Sequence, residues 1–308
     1  MIDFITSLLC GSLRISAPIM IAALGQIFVQ SSGTLDLSVE GTMVLGCFTA
    51  FTVTFFSGSL VLGLLASIAV GIIFSSLFAY LTVTIKANQV IAGTAMTILG
   101  QGFASFLYRE IFGIRTLPPI ITNFPNLNLG FLSRIPIIGQ VVFGQNIMTY
   151  LAVILIFITS FIINKTYFGL TVKGVGEYPR ACDAKGIAVN KVRFETILIG
   201  GVYSSLAGAA MSLGFMNTYT DNMIAGRGFM AIAVVVFARW RPKRVFWAAL
   251  LFGFASSLQM RFQSLGVALP KQLLQALPYI LTIVVLLLVS KHVNFPAAFC
   301  TSYDREES

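Results

Sequence analysis

Apolar runs close to bilayer length recur along the whole chain, and the polar residues collect in the gaps between them. A helix needs about 20 residues to cross a hydrocarbon core of about 30 Å, so each run predicts a transmembrane helix. The first covers residues 15–35 and ends in the polar cluster Gln30, Ser31, Ser32 and Gly33. Residues 41–85 carry no charge and break at Ser57-Gly58-Ser59, which makes two spans, and residues 87–108 make a fourth. Between Arg109 and Arg134, Pro118, Pro119, Pro125 and several asparagines exclude a regular helix and predict an ordered external loop. A fifth span lies within 135–164. Past a charged stretch come runs at 196–220, a shorter one at 228–238, then 245–260 and 272–290. The pattern predicts an all-α integral membrane protein, a polytopic bundle of about nine crossings, with eight to ten compatible with the runs.

Composition agrees. The chain is 57% hydrophobic and only 10% charged, with a mean hydropathy of +0.90, far from a soluble domain. Its net charge of +9 comes without a basic stripe interleaved with aromatics, so nucleic acid is not implied. The basic residues instead follow membrane orientation. Lys165, Lys173, Arg180, Lys185, Lys191 and Arg193 share one loop, and Arg239, Arg241, Lys243 and Arg244 share another, two spans away. The excess of Lys and Arg in short loops marks the cytoplasmic side, which places Lys86 and the C-terminal tail inside and the 111–134 loop and the N-terminus outside. The chain then reads as one transmembrane domain over 1–308: first helices at 8–110, external loop at 111–134, a span at 135–164, a cytoplasmic loop at 165–195, last helices at 196–290 and a tail at 291–308.

Three stretches carry candidate function. In the central loop, Pro179 suits the first position of a short helix, and Gly186 suits the left-handed residue that closes it. The result is about two helical turns, either a docking surface for a cytoplasmic partner or a solvated connector. In G-T-L-D-L-S-V-E-G (33–41), Asp36 and Glu40 stand four residues apart between two spans. On a helix they would share a face. One reading is a broken helix facing a polar cavity; the other is a cytoplasmic turn in which Asp36 caps the next helix and Glu40 favours its N-terminal end. In D-N-M-I-A-G-R-G (221–228) an acidic residue again precedes glycine and an apolar run. Paired interrupted segments of this kind line the substrate path of inverted-repeat transporters.

Catalytic constellations find little to build on. The single histidine, His292, follows the last span, which leaves no histidine pair or triad. No G-x-x-x-x-G-K-[ST] loop is present, and A-G-R-G-F follows no strand, so its glycines suit close helix packing. Cys10, Cys47, Cys182 and Cys300 are far apart, without metal-like or disulfide spacing. Leu9 before Cys10 does not suit lipoprotein cleavage, and the N-terminus lacks a positive start, so the first run reads as a retained span. Passage across the membrane, not chemistry, is the expected activity, with no cofactor and no metal.

Four stretches then carry a resemblance. G-T-L-D-L-S-V-E-G-T-M-V-L-G (33–46), K-A-N-Q-V-I-A-G (86–93), G-V-G-E-Y-P-R-A-C-D-A-K-G-I (174–187) and A-G-R-G-F-M-A-I-A (225–233) resemble the signature stretches of inner-membrane ABC importer permeases. The chain is similar, in the same order and spacing from about residue 18 to 289, to the branched-chain amino acid and simple-sugar permease superfamily. Within it the nearest group is the nucleoside-uptake branch that works with basic-membrane-protein-type binding lipoproteins. The resemblance implies a type II ABC importer-like fold with broken helices and inverted-repeat halves, in a bacterial inner membrane.

It also implies roles and partners. Glu177, Tyr178, Pro179, Arg180, Asp183 and Gly186 match the coupling helix that seats in a groove of the ATPase. Asp36, Glu40, Asn88, Gln89, Asn217, Asp221 and Arg227 become candidates for the translocation path, with Gln26, Gln30, Gln101, Gln259 and Gln263 beside them. For the asparagines and glutamines among these an interhelical hydrogen bond is at least an equal alternative. The branch often has asparagine at the positions of Asp36 and Tyr178 and a small residue at Lys185, so the path here is more acidic and the coupling loop differs. Implied partners are an ABC ATPase with two fused nucleotide-binding domains, a second homologous permease chain, a lipid-anchored substrate-binding protein and membrane lipid. The implied solute is a nucleoside, with simple sugars second. Two other classes remain: a proton-coupled secondary transporter using Asp36, Glu40 or Asp221 as carrier, and a membrane-embedded scaffold with no transport role.

Overall fold

Helix boundaries fall where the turn residues direct. A computed structural model of the chain describes residues 2–113, 118–127, 141, 143–264, 270–289 and 294–304. The described helices are α1 (Ile2–Ser31), α2 (Val39–Ser57), α3 (Leu60–Ala79), α4 (Gln89–Phe112), α5 (Ile147–Lys165), α6 (Tyr167–Glu177), α7 (Pro179–Ala184), α8 (Val189–Ala209), α9 (Arg227–Ala238), α10 (Pro242–Ser264) and α11 (Lys271–Val289). Gly58, at φ +68°, closes α2 in the left-handed conformation, and Ser59 opens α3 by accepting a hydrogen bond from the Leu62 N–H. Asn88, Asn146 and Thr166 open α4, α5 and α6 in the same way. Short π-helical turns at Tyr80–Thr84 and Ala210–Phe215 prolong α3 and α8.

Among the described residues seven helices are long and apolar enough to cross a membrane, and Arg227–Ala238 and Gln272–Val284 are apolar but shorter. The fold is a polytopic helical bundle. Its interior is formed by α1, α2 and α8, which are mostly buried, while α3, α4 and α5 turn bulky apolar side chains such as Ile73, Ile98 and Phe157 outward. Between interior helices the contacts are made by small residues. Ser67 donates to the Ser205 carbonyl at 2.9 Å and Ser212 to the Cys47 carbonyl at 3.0 Å, hydroxyl bonds that draw backbones together.

The tightest crossing is that of α2 on α8, where a Cβ added to Gly46 would lie 2.6 Å from the Ser205 Cα. Backbone cannot move aside as a side chain can. Gly46→Leu should therefore destabilise the purified protein by about 1–3 kcal/mol or more, seen as a lower melting temperature in detergent. Gly102, with nothing within 4 Å of an added Cβ, is the matched control, and Gly102→Leu should leave the melt unchanged.

The central charged stretch differs from expectation in one respect. It is not an open loop carrying a single short helix, because α6 fills its first half. Phe168, Val172 and Val175 recur at helical spacing; the valines pack with Cys182, Val189 and Val192 into a small apolar cluster, and Phe168 packs against both it and the main core. Gly169 and Gly176 are buried in α6 and serve close approach.

One end of the bundle gathers the basic segments around residues 294–304. Lys86 pairs with Asp304, Arg193 donates to the Thr301 carbonyl at 2.6 Å, and the Ala298 N–H donates to the Gly176 carbonyl at 2.9 Å. Trp240 meets Phe295 edge to face. At the opposite end, residues 118–127 lie over the end of α8 without helix, as their prolines require. Ile121 N–H donates to Asn217 O and Phe124 N–H to Leu213 O, which satisfies this irregular backbone. The remainder of the 111–134 loop, apart from 111–113, and Lys291 and His292 of the tail lie outside the described residues.

Candidate functional site

The chain between α1 and α2 is non-helical, yet nearly all of it is buried. Irregular backbone inside a membrane bundle needs partners from neighbouring helices, and here α4 supplies them. Gln89 Oε1 accepts from the Leu35 N–H at 2.7 Å, and Thr97 Oγ1 donates to the Leu37 carbonyl at 2.8 Å. Gly93 and Gly100 let Leu37 and Gly41 lie directly on the α4 backbone. Gln89 and Thr97 are eight residues apart on one helix, so the segment is held along α4 at two levels before α2 begins.

The two carboxylates do not share a helical face. The Asp36 carboxylate accepts from both the N–H and the hydroxyl of Ser38, at 2.8 and 2.5 Å, which holds residues 36–38 in a turn and delays the helix to Val39. Gln26 Nε2 reaches the other Asp36 oxygen at 3.4 Å. Glu40 therefore stands alone in the first turn of α2, and it does not serve its own helix end. Its carboxylate crosses to α9, accepting from the Gly226 N–H at 2.8 Å and from the Gly228 N–H at 2.6 Å.

That contact is the centre of the site. The N-terminal N–H groups of α9 carry partial positive charge and have no intrahelical acceptor, so a carboxylate is their natural complement. Glu40 is 1% exposed, and a Cβ on Gly228 would lie 2.7 Å from the Glu40 Cα; only glycine permits this approach. The turn before α9 is bound from the other side. Arg227 donates to the Met223 and Ile224 carbonyls, and the Tyr279 hydroxyl of α11 donates to the Ala225 carbonyl at 2.9 Å. Thus the interrupted segments 33–41 and 221–228 meet inside the bundle, joined by the acid of one and the glycines of the other.

The remaining path candidates are scattered. Gln89 is buried and engaged with the break, whereas Asn88 is exposed and caps α4 through bonds from Val90 and Ile91. Asn217 is exposed. Asp221 is partly exposed, accepts from Ser105 at 2.8 Å and pairs with Arg109 at 3.5 Å. Gln26 Oε1 and Gln30 Nε2 are buried without a partner among the described residues, although Gln30 Oε1 accepts from the Trp240 indole at 3.1 Å. Gln101 and Gln259 are half-buried and Gln263 is exposed. Sequence reasoning missed Arg193, whose bond to Thr301 ties α8 to the terminal segment. The only signal was its place among other basic residues.

The coupling candidates form a projection on the basic end. Pro179 opens α7 at its first turn, and Gly186, at φ +82°, closes it. Cys182 is the buried anchor, set against Val172, Val175, Val189 and Val192. Tyr178 is 71% exposed, and Arg180, Lys185 and Glu177 also lie on the surface, while Asp183 is half-buried. Glu177 faces the terminal segment, with Oε2 3.4 Å from the Ala297 N–H.

Three similar proteins match the chain in sequence over nearly their whole length. A putative glucose ABC transporter permease of Haloferax volcanii is 33% identical over 99% of each chain. A guanosine ABC transporter permease of Bacillus subtilis is 34% identical over 92% of each chain, and a nucleoside ABC transporter permease of Lactococcus lactis is 31% identical over 94% of this chain and 93% of its own. No solved structure matches significantly. The family model described as the permease component of branched-chain amino acid transport systems matches residues 8–289, from α1 to the end of α11. A bundle with two interrupted segments joined through a helix end and bearing a projecting helix fits what these matches show, a transport component rather than an enzyme, and the chain belongs to that permease family.

Proposed function

We propose that this chain is the membrane-spanning subunit of an ATP-driven importer for nucleosides, with the basic end of the bundle in the cytoplasm. The carrying observation is α7. It is a short helix whose inner face is fixed by Cys182 and whose outer face presents Tyr178 and Arg180 to solvent. Such a projection suits insertion into a groove of a separate ATPase with two fused nucleotide-binding domains. Because α7 is packed onto α6 and the start of α8, movement of the ATPase would be passed to helices that reach the interior. A second homologous permease chain would complete the conduit, and a lipid-anchored binding protein would deliver solute to the opposite end.

Nucleosides are favoured because two of the three relatives carry guanosine or nucleoside in their names; glucose, named for the third, is the second reading. The buried contact supports a neutral solute. In discontinuous transporters a half-helix N-terminus often receives an anionic substrate group, but here Glu40 already occupies the N–H groups of α9. The test is uptake of labelled guanosine by cells expressing the chain with its partner subunits. Excess unlabelled nucleoside should abolish uptake and excess glucose should not; the reverse competition would overturn the assignment of solute.

A further inference from the structure

At the basic end, a cavity of about 930 Å³ opens between the end of α5, α6 and the turn joining α9 to α10. Six cations line it: Lys165, Lys173, Arg239, Arg241, Lys243 and Arg244. Glu177 is the single carboxylate in the lining. Among the described residues none of the six forms an ion pair; Lys173 has a hydrogen bond to Asn164 Oδ1 at 3.0 Å. Partial burial lowers the Lys173 ammonium from its ordinary value.

Two further observations indicate a built site. Arg239 and Trp240 are consecutive residues with φ +53° and +54°, a left-handed pair that L side chains rarely adopt. This turn is held by the Trp240 indole on Gln30 and by Phe295 against the ring, and it places both residues on the cavity wall. The other wall is apolar, with Phe157 and Phe161 of α5, 65% and 62% exposed. It continues along α5 through the exposed Ile154 and Ile158. The cavity is therefore basic where the helices end and hydrocarbon-like along the helix flank.

We propose that this cavity binds an anionic phospholipid of the adjoining leaflet, with its phosphate among the six cations and its acyl chains along α5. A free phosphate or soluble anion would use the cations and leave the exposed phenylalanines unexplained. A basic hollow between transmembrane helices on the side that faces anionic lipid is a recognised form of headgroup site. The lipid would neutralise cations beside Glu177, which ends α6 one residue before α7 begins. It would so steady the base on which α7 sits.

The test uses the full chain purified in detergent and titrated, under native mass spectrometry, with phosphatidylglycerol, cardiolipin, phosphatidylcholine or inorganic phosphate. Phosphatidylglycerol and cardiolipin should be retained in preference to phosphatidylcholine, and phosphate should not displace them. Because each basic residue near an anionic lipid surface contributes about a fivefold factor, Lys243→Gln with Arg244→Gln should weaken phosphatidylglycerol binding about thirtyfold. The charge-preserving pair Lys243→Arg with Arg244→Lys should retain it, as should Lys191→Gln, outside the cavity. Equal retention of phosphatidylcholine would overturn the proposal, as would displacement by phosphate alone. So would a Gln pair that binds lipid normally but no longer copurifies with the ATPase, which would make the surface a protein contact.

Discussion

Glu40→Ala should be the most destabilising single polar substitution at the site, costing about 3–5 kcal/mol and sharply reducing the amount of folded chain in the membrane. The estimate rests on two charge-assisted hydrogen bonds, each contributing about 1.5–3 kcal/mol. Alanine would leave the part-buried Gly226 N–H and the buried Gly228 N–H without this acceptor. Glu40→Gln keeps one acceptor but turns an NH2 group toward an N–H donor, so it should fall between alanine and the parent. The control is Asp221→Ala. That carboxylate is partly exposed and its pair with Arg109 is spread over 3.5 Å, an arrangement worth about 1 kcal/mol or less. Melting temperatures in detergent measure all three. If Glu40→Ala and Asp221→Ala cost the same, Glu40 is not the join between the two interrupted segments.

The second large effect concerns α7. Glu177→Ala, Arg180→Ala, or two residues inserted between Pro179 and Gly186 should leave the chain in the membrane but uncouple ATP hydrolysis from uptake. None of these changes touches the main core: Arg180 and Glu177 are exposed, and the side chain of α7 buried in the small apolar cluster is Cys182. Loss of an arginine at a docking interface typically removes more than about 1–2 kcal/mol, so uptake should drop roughly tenfold or more while chain abundance holds. The insertion should be more severe, because it rotates the exposed face of α7 relative to Cys182. Abundance is read by immunoblot of membranes, and coupling by uptake per ATP hydrolysed. Normal uptake by all three variants would remove α7 from the mechanism.

Much of this architecture is legible in the chain because membrane spans leave long-range order in composition. Ser57-Gly58-Ser59 marks the break between α2 and α3, and Pro179 and Gly186 mark α7, since each acts through its own backbone and needs no distant partner. The amphipathic helix α6 was hidden because its apolar positions are separated by glycines whose role, close approach to α1 and α5, exists only once those helices are packed. The same limit hid the role of Glu40. An acid four residues after another suggests a shared helical face, whereas its partners lie 186 and 188 residues away. Residue spacing reports local periodicity; it carries no information about which helix end will arrive beside a given carboxylate. The weave of residues 294–304 across Gly33, Gly176, Arg193 and Lys86 was likewise invisible, because most of its bonds use backbone groups common to any sequence.

The central claim is that transport by this bundle is driven through α7 by an ATPase on another chain. The direct measurement is uptake of labelled guanosine into vesicles reconstituted with the permease chains and binding protein, with and without the ATPase and ATP enclosed on the α7 side. Uptake that requires both the ATPase and ATP, and that survives collapse of the proton gradient, is the predicted result. Sustained uptake without the ATPase, lost when the proton gradient is collapsed, would contradict the account and return Asp36, Glu40 or Asp221 to the role of proton carrier.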